Sequence, residues 1–201
     1  SLRPTSTVGQ ALKRLSPFLV ILAGFTISRA FMKSALTVFL PVYLAGKGEN
    51  LWFAGISLSA LELTGAIGTF FGGGLSDRIG RRTTLLVVSI VSPLLGWVFL
   101  TTSGYLSIGV LLVLGFFLFA GGPVVLALVQ DVRCERPAFL NGIYMTLNFL
   151  GTSLTALGVG WASDRYGLAL TFKWAVTASL LAVPFVWGLA DRHLLHEDDG
   201  D

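Results

Sequence analysis

The 201-residue chain is too apolar for an ordinary water-soluble domain, because 54% of its residues are hydrophobic and only 12% are charged, against about one quarter in soluble proteins. Its formal net charge of +3 does not indicate nucleic-acid binding, since the basic residues are spread over the ends of apolar segments. The single cysteine, Cys134, excludes an internal disulfide and a cysteine metal cluster. Composition therefore predicts an integral membrane protein with no metal site.

The segment before Pro17 is polar and basic, and the apolar run after it is too long for the core of a cleaved signal peptide. The sequence begins at Ser1 and not with methionine. We therefore expect a fragment of a longer protein or a processed chain.

Six stretches contain the roughly 20 apolar residues that a helix needs to cross a hydrocarbon core about 30 Å thick. In chain order they are residues 17–44, 52–75, 83–100, 106–129, 139–162 and 168–190. Such continuous runs favour helices over barrel strands, which alternate and are only about ten residues long. Short connections with helix-breaking residues join the runs, so neighbouring helices are predicted to be antiparallel. The predicted fold is an all-α polytopic membrane protein with six transmembrane helices.

Lysine and arginine residues near the span ends predict the orientation of the chain. With the N-terminus inside, nine of them lie on the inner side: Arg3, Lys13, Arg14, Arg78, Arg81, Arg82, Arg133, Arg136 and Arg192. Only three lie on the outer side: Lys47, Arg165 and Lys173. We therefore expect a cytoplasmic linker (residues 1–16), a transmembrane bundle (residues 17–190) and a polar cytoplasmic tail (residues 191–201), in the plasma or inner membrane of the cell.

A loop motif occurs twice. Residues 73–82 read GGLSDRIGRR at the inner end of the second span, and eighty-seven residues later GWASDRYG closes the fifth span. A unit of three spans puts the two copies on opposite membrane faces, so the bundle is predicted to be a 3+3 inverted repeat of residues 17–101 and 105–190. The second copy continues into Leu168 and Ala169 instead of two arginines, as expected for an outer loop.

The first copy resembles the signature G-x-L-a-D-R-x-G-R-R/K of the major facilitator superfamily of transporters, and every fixed position is filled. The resemblance covers essentially the whole chain. The runs FLPVYL (residues 39–44) and ASDRYGL (residues 162–168) are also similar to fosmidomycin-resistance-type and related drug exporters within that superfamily. Full members have twelve spans, so the resemblance implies the C-terminal six-helix half, preceded by part of the central cytoplasmic loop.

By this resemblance, the first loop is a latch that holds the cytoplasmic side closed against the other half of the transporter. Asp77 lies between two helices, where its carboxylate can accept backbone N–H groups or pair with an arginine. The alternative is a static loop that only anchors the two helices. The implied gating residues are Gly73, Asp77, Arg78, Gly80, Arg81 and Arg82, with Asp164, Arg165 and Gly167 in the second copy.

Three ionisable residues, Arg29, Lys33 and Glu62, fall at mid-span depth, where a charge is costly and marks a functional site. Arg29 and Lys33 share one helix face and are expected to attract an anionic substrate, while Glu62 binds a coupling proton. Alternatively, Glu62 and Arg29 form a structural ion pair and Lys33 extends toward the interface. Asn148 of the fifth span is a further candidate for substrate contact, or else a link between helices.

Motifs of enzymes and of nucleotide-binding P-loops are absent from the sequence, so neither catalysis nor ATP hydrolysis is expected. We expect a secondary active transporter that exports a drug-like or anionic compound by alternating access, with a proton gradient as energy source and no cofactor. Its partners would be the lipid bilayer, the substrate and a second six-helix half, from the same polypeptide or a second copy. The alternatives are an uptake carrier for organic anions and a non-transporting membrane scaffold.

Overall fold

Helix is the regular secondary structure of residues 8–132 and 137–191, which are the residues that the computed structural model describes. This part of the chain forms eight helices: α1 (Val8–Val38), α2 (Leu40–Gly46), α3 (Leu51–Ile79), α4 (Arg81–Thr101), α5 (Tyr105–Asp131), α6 (Pro137–Tyr166), α7 (Leu168–Ser179) and α8 (Ala182–Asp191). The all-α prediction is confirmed for these segments. Residues 1–7 of the predicted linker, residues 192–201 of the predicted tail, and Arg133, Cys134 and Arg136 lie outside the described residues.

Two of the predicted spans are each divided into two helices close to a proline. The first breaks at Phe39, two residues before Pro41, and the last breaks at Leu180 and Leu181, shortly before Pro184. Proline has no backbone N–H, and its ring clashes with the carbonyl four residues earlier, so a helix is interrupted just ahead of it. Pro93 and Pro123 instead lie within the unbroken helices α4 and α5.

Within the described residues, five segments are long and apolar enough to cross a membrane: Ser16–Val38, Leu51–Ile79, Arg81–Thr101, Tyr105–Asp131 and Leu168–Leu189. The last of these combines α7 and α8. Helix α6 has the length, with 30 residues, but carries asparagines and threonines such as Asn148 and Thr155 along it. The count of six spans therefore stays a prediction.

The closest helix pair is α3 and α5, which meet backbone to backbone at glycines. Gly68 lies against the carbonyl group of Phe116, and a Cβ atom at Gly72 would lie 2.5 Å from the carbonyl oxygen of Ala120. The run of small residues on α3 therefore includes packing positions, as expected for helices in lipid. Helix α1 packs in turn against α6, α7 and α8.

Contacts between helix ends define two ends of the bundle. At the first, which we call the Arg81 end, Arg81 of α4 pairs with Asp131 of α5. At the second, the Lys47 end, the ammonium group of Lys47 donates to the carbonyl oxygen of Leu100 at 3.4 Å, and Phe53 of α3 meets Tyr105 of α5. Helices α3, α4 and α5 therefore alternate in direction, as the sequence predicts.

Each end of the bundle has its own apolar cluster. The cluster at the Lys47 end includes Phe99 and Phe172, and the one at the Arg81 end includes Leu85 and Leu189. Phe25 belongs to the second cluster and Met32 to the first, so the stretch of α1 between them, which carries Arg29, lies between the two clusters. Arg29, one of the charged residues singled out in the sequence, therefore lies at the middle of the bundle.

Candidate functional site: a cationic cavity between three helices

An open cavity of about 80 Å³ lies between α1, α5 and α6. Three of the four residues that the sequence nominated for substrate or proton coupling line it: Arg29 and Lys33 from α1 and Asn148 from α6. The remaining wall comes from Phe25, Thr26, Ala30, Leu118, Phe119, Gly121, Gly122, Val125, Tyr144 and Thr152. The structure therefore brings two positive charges and several hydrogen-bonding groups to one concave surface.

Arg29 is held in place by the backbone of α5. One of its terminal nitrogens donates to the carbonyl oxygen of Leu118 at 2.9 Å, and the other lies 3.5 Å from the hydroxyl of Ser89 on α4. The guanidinium group also lies over the ring of Phe25, 5.8 Å from its centroid. These partners are neutral, so they orient the guanidinium group and leave its charge uncompensated.

Lys33 follows Arg29 by one helical turn and has fewer constraints. Its ammonium group lies over the ring of Phe119, 5.1 Å from the ring centroid. Such a cation–π contact is worth about 0.5–2 kcal/mol and does not neutralise the charge. Within the described residues, neither Lys33 nor Arg29 has a carboxylate at ion-pair distance.

The pairing of Arg29 with Glu62 that the sequence allowed is not formed. Glu62 is exposed on α3 and does not line the cavity, where Arg29 instead reaches across to α5. The spacing of residues along a helix could not give the rotation of α3, which turns Glu62 to the surface of the bundle.

Asn148 takes part in a short polar chain on α6. Its side-chain amide donates to the hydroxyl of Tyr144 at 3.4 Å, one turn away. Tyr144 is buried and also lines the cavity. Tyr144 is not among the site residues predicted from the sequence, although its position four residues before Asn148 places both on one helix face. Nearby, the hydroxyl groups of Ser34 and Thr155 lie 3.0 Å apart and link α1 to α6.

The first loop motif forms a charged cluster at the Arg81 end. Gly80 has a φ angle of +90°, which favours glycine, and it separates α3 from α4. Arg81 contacts Asp77 at 3.5 Å and also pairs with Asp131, donating to one of its oxygens at 3.3 Å. Asp131 is not among the residues predicted from the sequence, because a lone acidic residue at the end of a span does not indicate which side chain it pairs with.

The other two arginines of the motif differ in their surroundings. Arg82 lies over the ring of Trp187 on α8, with its guanidinium carbon 4.5 Å from the ring centroid. Arg78 is exposed and has no ion pair among the described residues. Among the described residues, Arg78 therefore has no ion pair or ring contact, while Arg81 and Arg82 tie α4 to α5 and α8.

The second copy of the motif has the same backbone shape at the other end of the bundle. Gly167 has φ and ψ angles of 85° and 151°, and Gly80 has 90° and 142°. In each copy a threonine hydroxyl, of Thr84 or Thr171, donates at 2.9 Å to the carbonyl oxygen of the glycine. Gly160 lies beside the ring of Phe39, near the Lys47 end. Asp164 and Arg165 are exposed there and form no ion pair within the described segments.

A helical membrane bundle that keeps charged side chains at mid-depth is typical of membrane proteins that bind ions or solutes. The family model described as Major Facilitator Superfamily matches residues 2–156. The chain therefore belongs to the Major Facilitator Superfamily of transporters and is not an enzyme.

Comparisons with individual proteins agree with this family. The chain is 25% identical to the fosmidomycin resistance protein of Escherichia coli K12 over 198 residues, which cover 95% of this chain and 48% of that protein. It is 34% identical to the multidrug resistance protein MdtG of Escherichia fergusonii over 169 residues, covering 76% of this chain and 38% of MdtG. The chain thus spans half or less of the length of these relatives.

A solved structure shares the fold. The crystal structure of the peptide transporter POT in complex with alafosfalin superposes with a TM-score of 0.74, covering 88% of this chain and 39% of that one. The sequence identity is 22%, so this likeness concerns the fold alone.

Proposed function

We propose that the protein containing this chain is a secondary active transporter that exports a small organic anion by alternating access. One observation carries the proposal: Arg29 and Lys33 face a single open cavity at mid-span without a carboxylate partner in the described residues. Charges in a membrane span are retained where they serve a substrate, an ion or each other. Two like charges one turn apart repel, and an anionic solute would offset both.

The size of the cavity supports a second six-helix half. Sites for drug-sized ligands usually measure about 300–1,000 Å³, whereas this cavity measures about 80 Å³ and is open. We infer that this chain supplies one wall, as in a central cavity between two halves. The greater length of the relatives fits a second half in the same polypeptide, and a second copy of this chain is the alternative.

The packing pattern supports the predicted inverted repeat. Helix α3 of the first three-span unit packs against α5, the first helix of the second unit, and α6 of the second unit packs in the same way against α1. Such a reciprocal exchange is expected from a pseudo-twofold axis in the membrane plane. In this arrangement the Arg81 end is cytoplasmic, both termini are inside, and the first loop motif closes the inner side against the other half.

The drug-resistance names of the two relatives support export, and the name of the first suggests a probe. Fosmidomycin is a small phosphonic acid, and its anionic group matches the charge of the cavity. We propose that protons moving inward drive its exit, with Glu62 as the carboxylate that binds them. Glu62 suits this role because its side chain is exposed on α3 and a carboxylate in a membrane span is costly unless it serves an ion, a substrate or a partner.

The test is uptake of fosmidomycin into everted membrane vesicles from cells that express the natural polypeptide, with an imposed proton gradient. Lys33→Gln is expected to raise the half-saturating concentration roughly tenfold or more, because a hydrogen bond to a charged group is worth about 1.5–3 kcal/mol. Lys173→Gln, on the exposed surface of α7, is the matched control and should leave uptake unchanged.

The other outcomes separate the alternatives. Flux only in the opposite direction would indicate an uptake carrier for organic anions. Normal membrane insertion with no flux of fosmidomycin in either direction, and none of inorganic phosphate, would favour a scaffold and overturn the proposal. Glu62→Gln should retain binding but lose accumulation that depends on the gradient, and a variant that keeps this accumulation would remove Glu62 from the coupling step.

A further inference from the structure

Two adjacent glycines of α5, Gly121 and Gly122, line the cavity in different ways. Gly121 is buried, and a Cβ atom there would lie 3.0 Å from a terminal nitrogen of Arg29. Its missing side chain therefore makes room for the guanidinium group that donates to Leu118. Gly121 has a structural explanation within the chain.

Gly122 has no such explanation. It is exposed, and a Cβ atom there would meet nothing within 4 Å. This contrasts with Gly68, Gly72 and Gly115, which allow two backbones to touch. A glycine in the middle of a helix is less favourable than alanine by roughly 0.5–1 kcal/mol. Gly74 and Gly109 also have an open Cβ position, but of these three glycines Gly122 is the one that lines the cavity.

The position of Gly122 suggests what the free space is for. Gly122 follows Leu118 by four residues, so both lie on one face of α5, the face that holds Arg29. Phe119 and Val125 line the same cavity, and the ammonium group of Lys33 lies over the ring of Phe119. An anion that bridges Arg29 and Lys33 would therefore extend its remaining atoms along the surface at Gly122.

We propose that Gly122 sets the size of the substrate that the two cations accept. The anionic group, a phosphonate or a carboxylate, binds between Arg29 and Lys33, and the organic substituent occupies the space at Gly122 between Phe119 and Val125. This inference rests on the proposed function. It adds a residue that determines specificity, with no charge or hydrogen bond of its own.

The test measures binding of methylphosphonate, propylphosphonate and phenylphosphonate to the purified natural polypeptide by titration calorimetry. Gly122→Ala should weaken the two larger ligands relative to methylphosphonate by roughly tenfold, the lower end of the range for one methylene group in a hydrophobic pocket, because this cavity is open on one side. Gly109→Ala is the matched control, because Gly109 also lies on α5, is exposed and has open space at its Cβ position. It should leave all three affinities unchanged.

Three results would count against the proposal. An unchanged ratio of affinities in Gly122→Ala, with normal binding by the unsubstituted protein, would overturn the size role and leave the transport proposal intact. Equal losses for all three ligands would also overturn it, because that result indicates a disturbed Arg29. No binding of any phosphonate by the unsubstituted protein would overturn both proposals.

A second measurement covers the case in which Gly122→Ala does not fold. In a background with Cys134→Ser, Gly122→Cys should react with a water-soluble thiol reagent, and the larger phosphonates should protect it more than methylphosphonate does. Gly109→Cys should show no protection by any of them. Equal protection of Gly122→Cys by all three ligands would contradict the proposal.

Discussion

Asp77 and Asp131 share a single arginine at the Arg81 end. Arg81 reaches the first at 3.5 Å within its own turn and the second across the gap between α4 and α5. In addition, its other terminal nitrogen is buried without a hydrogen-bond partner among the described residues. An arginine with one unsatisfied nitrogen and two acidic neighbours is suited to exchange partners, as our proposed latch requires when the cytoplasmic side opens.

Asp131→Asn is expected to destabilise this end of the bundle, because it leaves Arg81 with the more exposed carboxylate alone. The cost should be about 1 kcal/mol, the upper end for partly exposed pairs. Thermal unfolding of the purified protein in detergent would measure it.

The second motif copy offers the control for this change. Asp164→Asn removes the carboxylate that corresponds to Asp77, where the position of Arg81 is occupied by Leu168. It should leave the unfolding temperature unchanged. An unchanged unfolding temperature of Asp131→Asn would show that its pair with Arg81 does not stabilise this end of the bundle.

The contact between α3 and α5 depends on glycines that have no room for a side chain. Gly72→Ala would put a methyl group 2.5 Å from the carbonyl oxygen of Ala120 and should destabilise the protein by about 1–3 kcal/mol. Gly74→Ala makes the same chemical change two residues away, where a Cβ atom meets nothing within 4 Å.

We expect Gly74→Ala to be neutral or slightly stabilising, because alanine is the better helix former. Denaturation of both variants in the same detergent would compare them. If Gly72→Ala were as stable as Gly74→Ala, the two backbones would not be in contact at this point.

The helices were predictable from the sequence because long apolar runs that cross a bilayer must satisfy their backbone hydrogen bonds internally, and a helix does this within one segment. The predicted runs agree with α3, α4 and α5 to within a few residues, apart from the longer C-terminal end of α3. Kinks were harder to predict, since Pro41, Pro93, Pro123 and Pro184 all lie well inside apolar spans and look alike in sequence. Only Pro41 and Pro184 follow a break in the helix, and Pro93 and Pro123 are accommodated in place.

The candidate site was predictable in depth and in charge but not in its partners. Arg29, Lys33 and Asn148 stand out because polar residues are rare at mid-span, and the structure brings them to one cavity. Their neighbours depend on how each helix is rotated and tilted, which a single apolar run does not encode. For this reason Arg29 binds a carbonyl of α5, Tyr144 joins the site, and Glu62 lies outside it.

The bundle exposes a carboxylate on its surface, at a depth where contact with lipid hydrocarbon is energetically unfavourable. Glu62 is exposed near the middle of α3, and a carboxylate at the centre of a bilayer costs roughly 2.5–3.5 kcal/mol on insertion scales. A second six-helix half, with water between the two, would supply a polar environment for this face.

This arrangement predicts different accessibilities for two neighbouring positions. In a background with Cys134→Ser, Glu62→Cys should react with a membrane-impermeant maleimide, because its face of α3 is wetted by the cavity between the halves. Leu63→Cys is the control, since Leu63 is 65% exposed on the adjacent surface and should face lipid. Labelling would be measured in intact membranes, and equal labelling of the two cysteines would contradict a wetted face at Glu62.

The turns after α3 and α6 have the same shape but different side chains. Glycine and a threonine hydroxyl form each turn, at Gly80 with Thr84 and at Gly167 with Thr171. The residues just after each glycine differ: two arginines in one copy, Leu168 and Ala169 in the other. If the two halves arose by duplication of a gene for three helices, both copies could keep the same turn. Substitutions at two codons, those for the residues just after the glycine, would then be enough to make one turn basic and the other apolar.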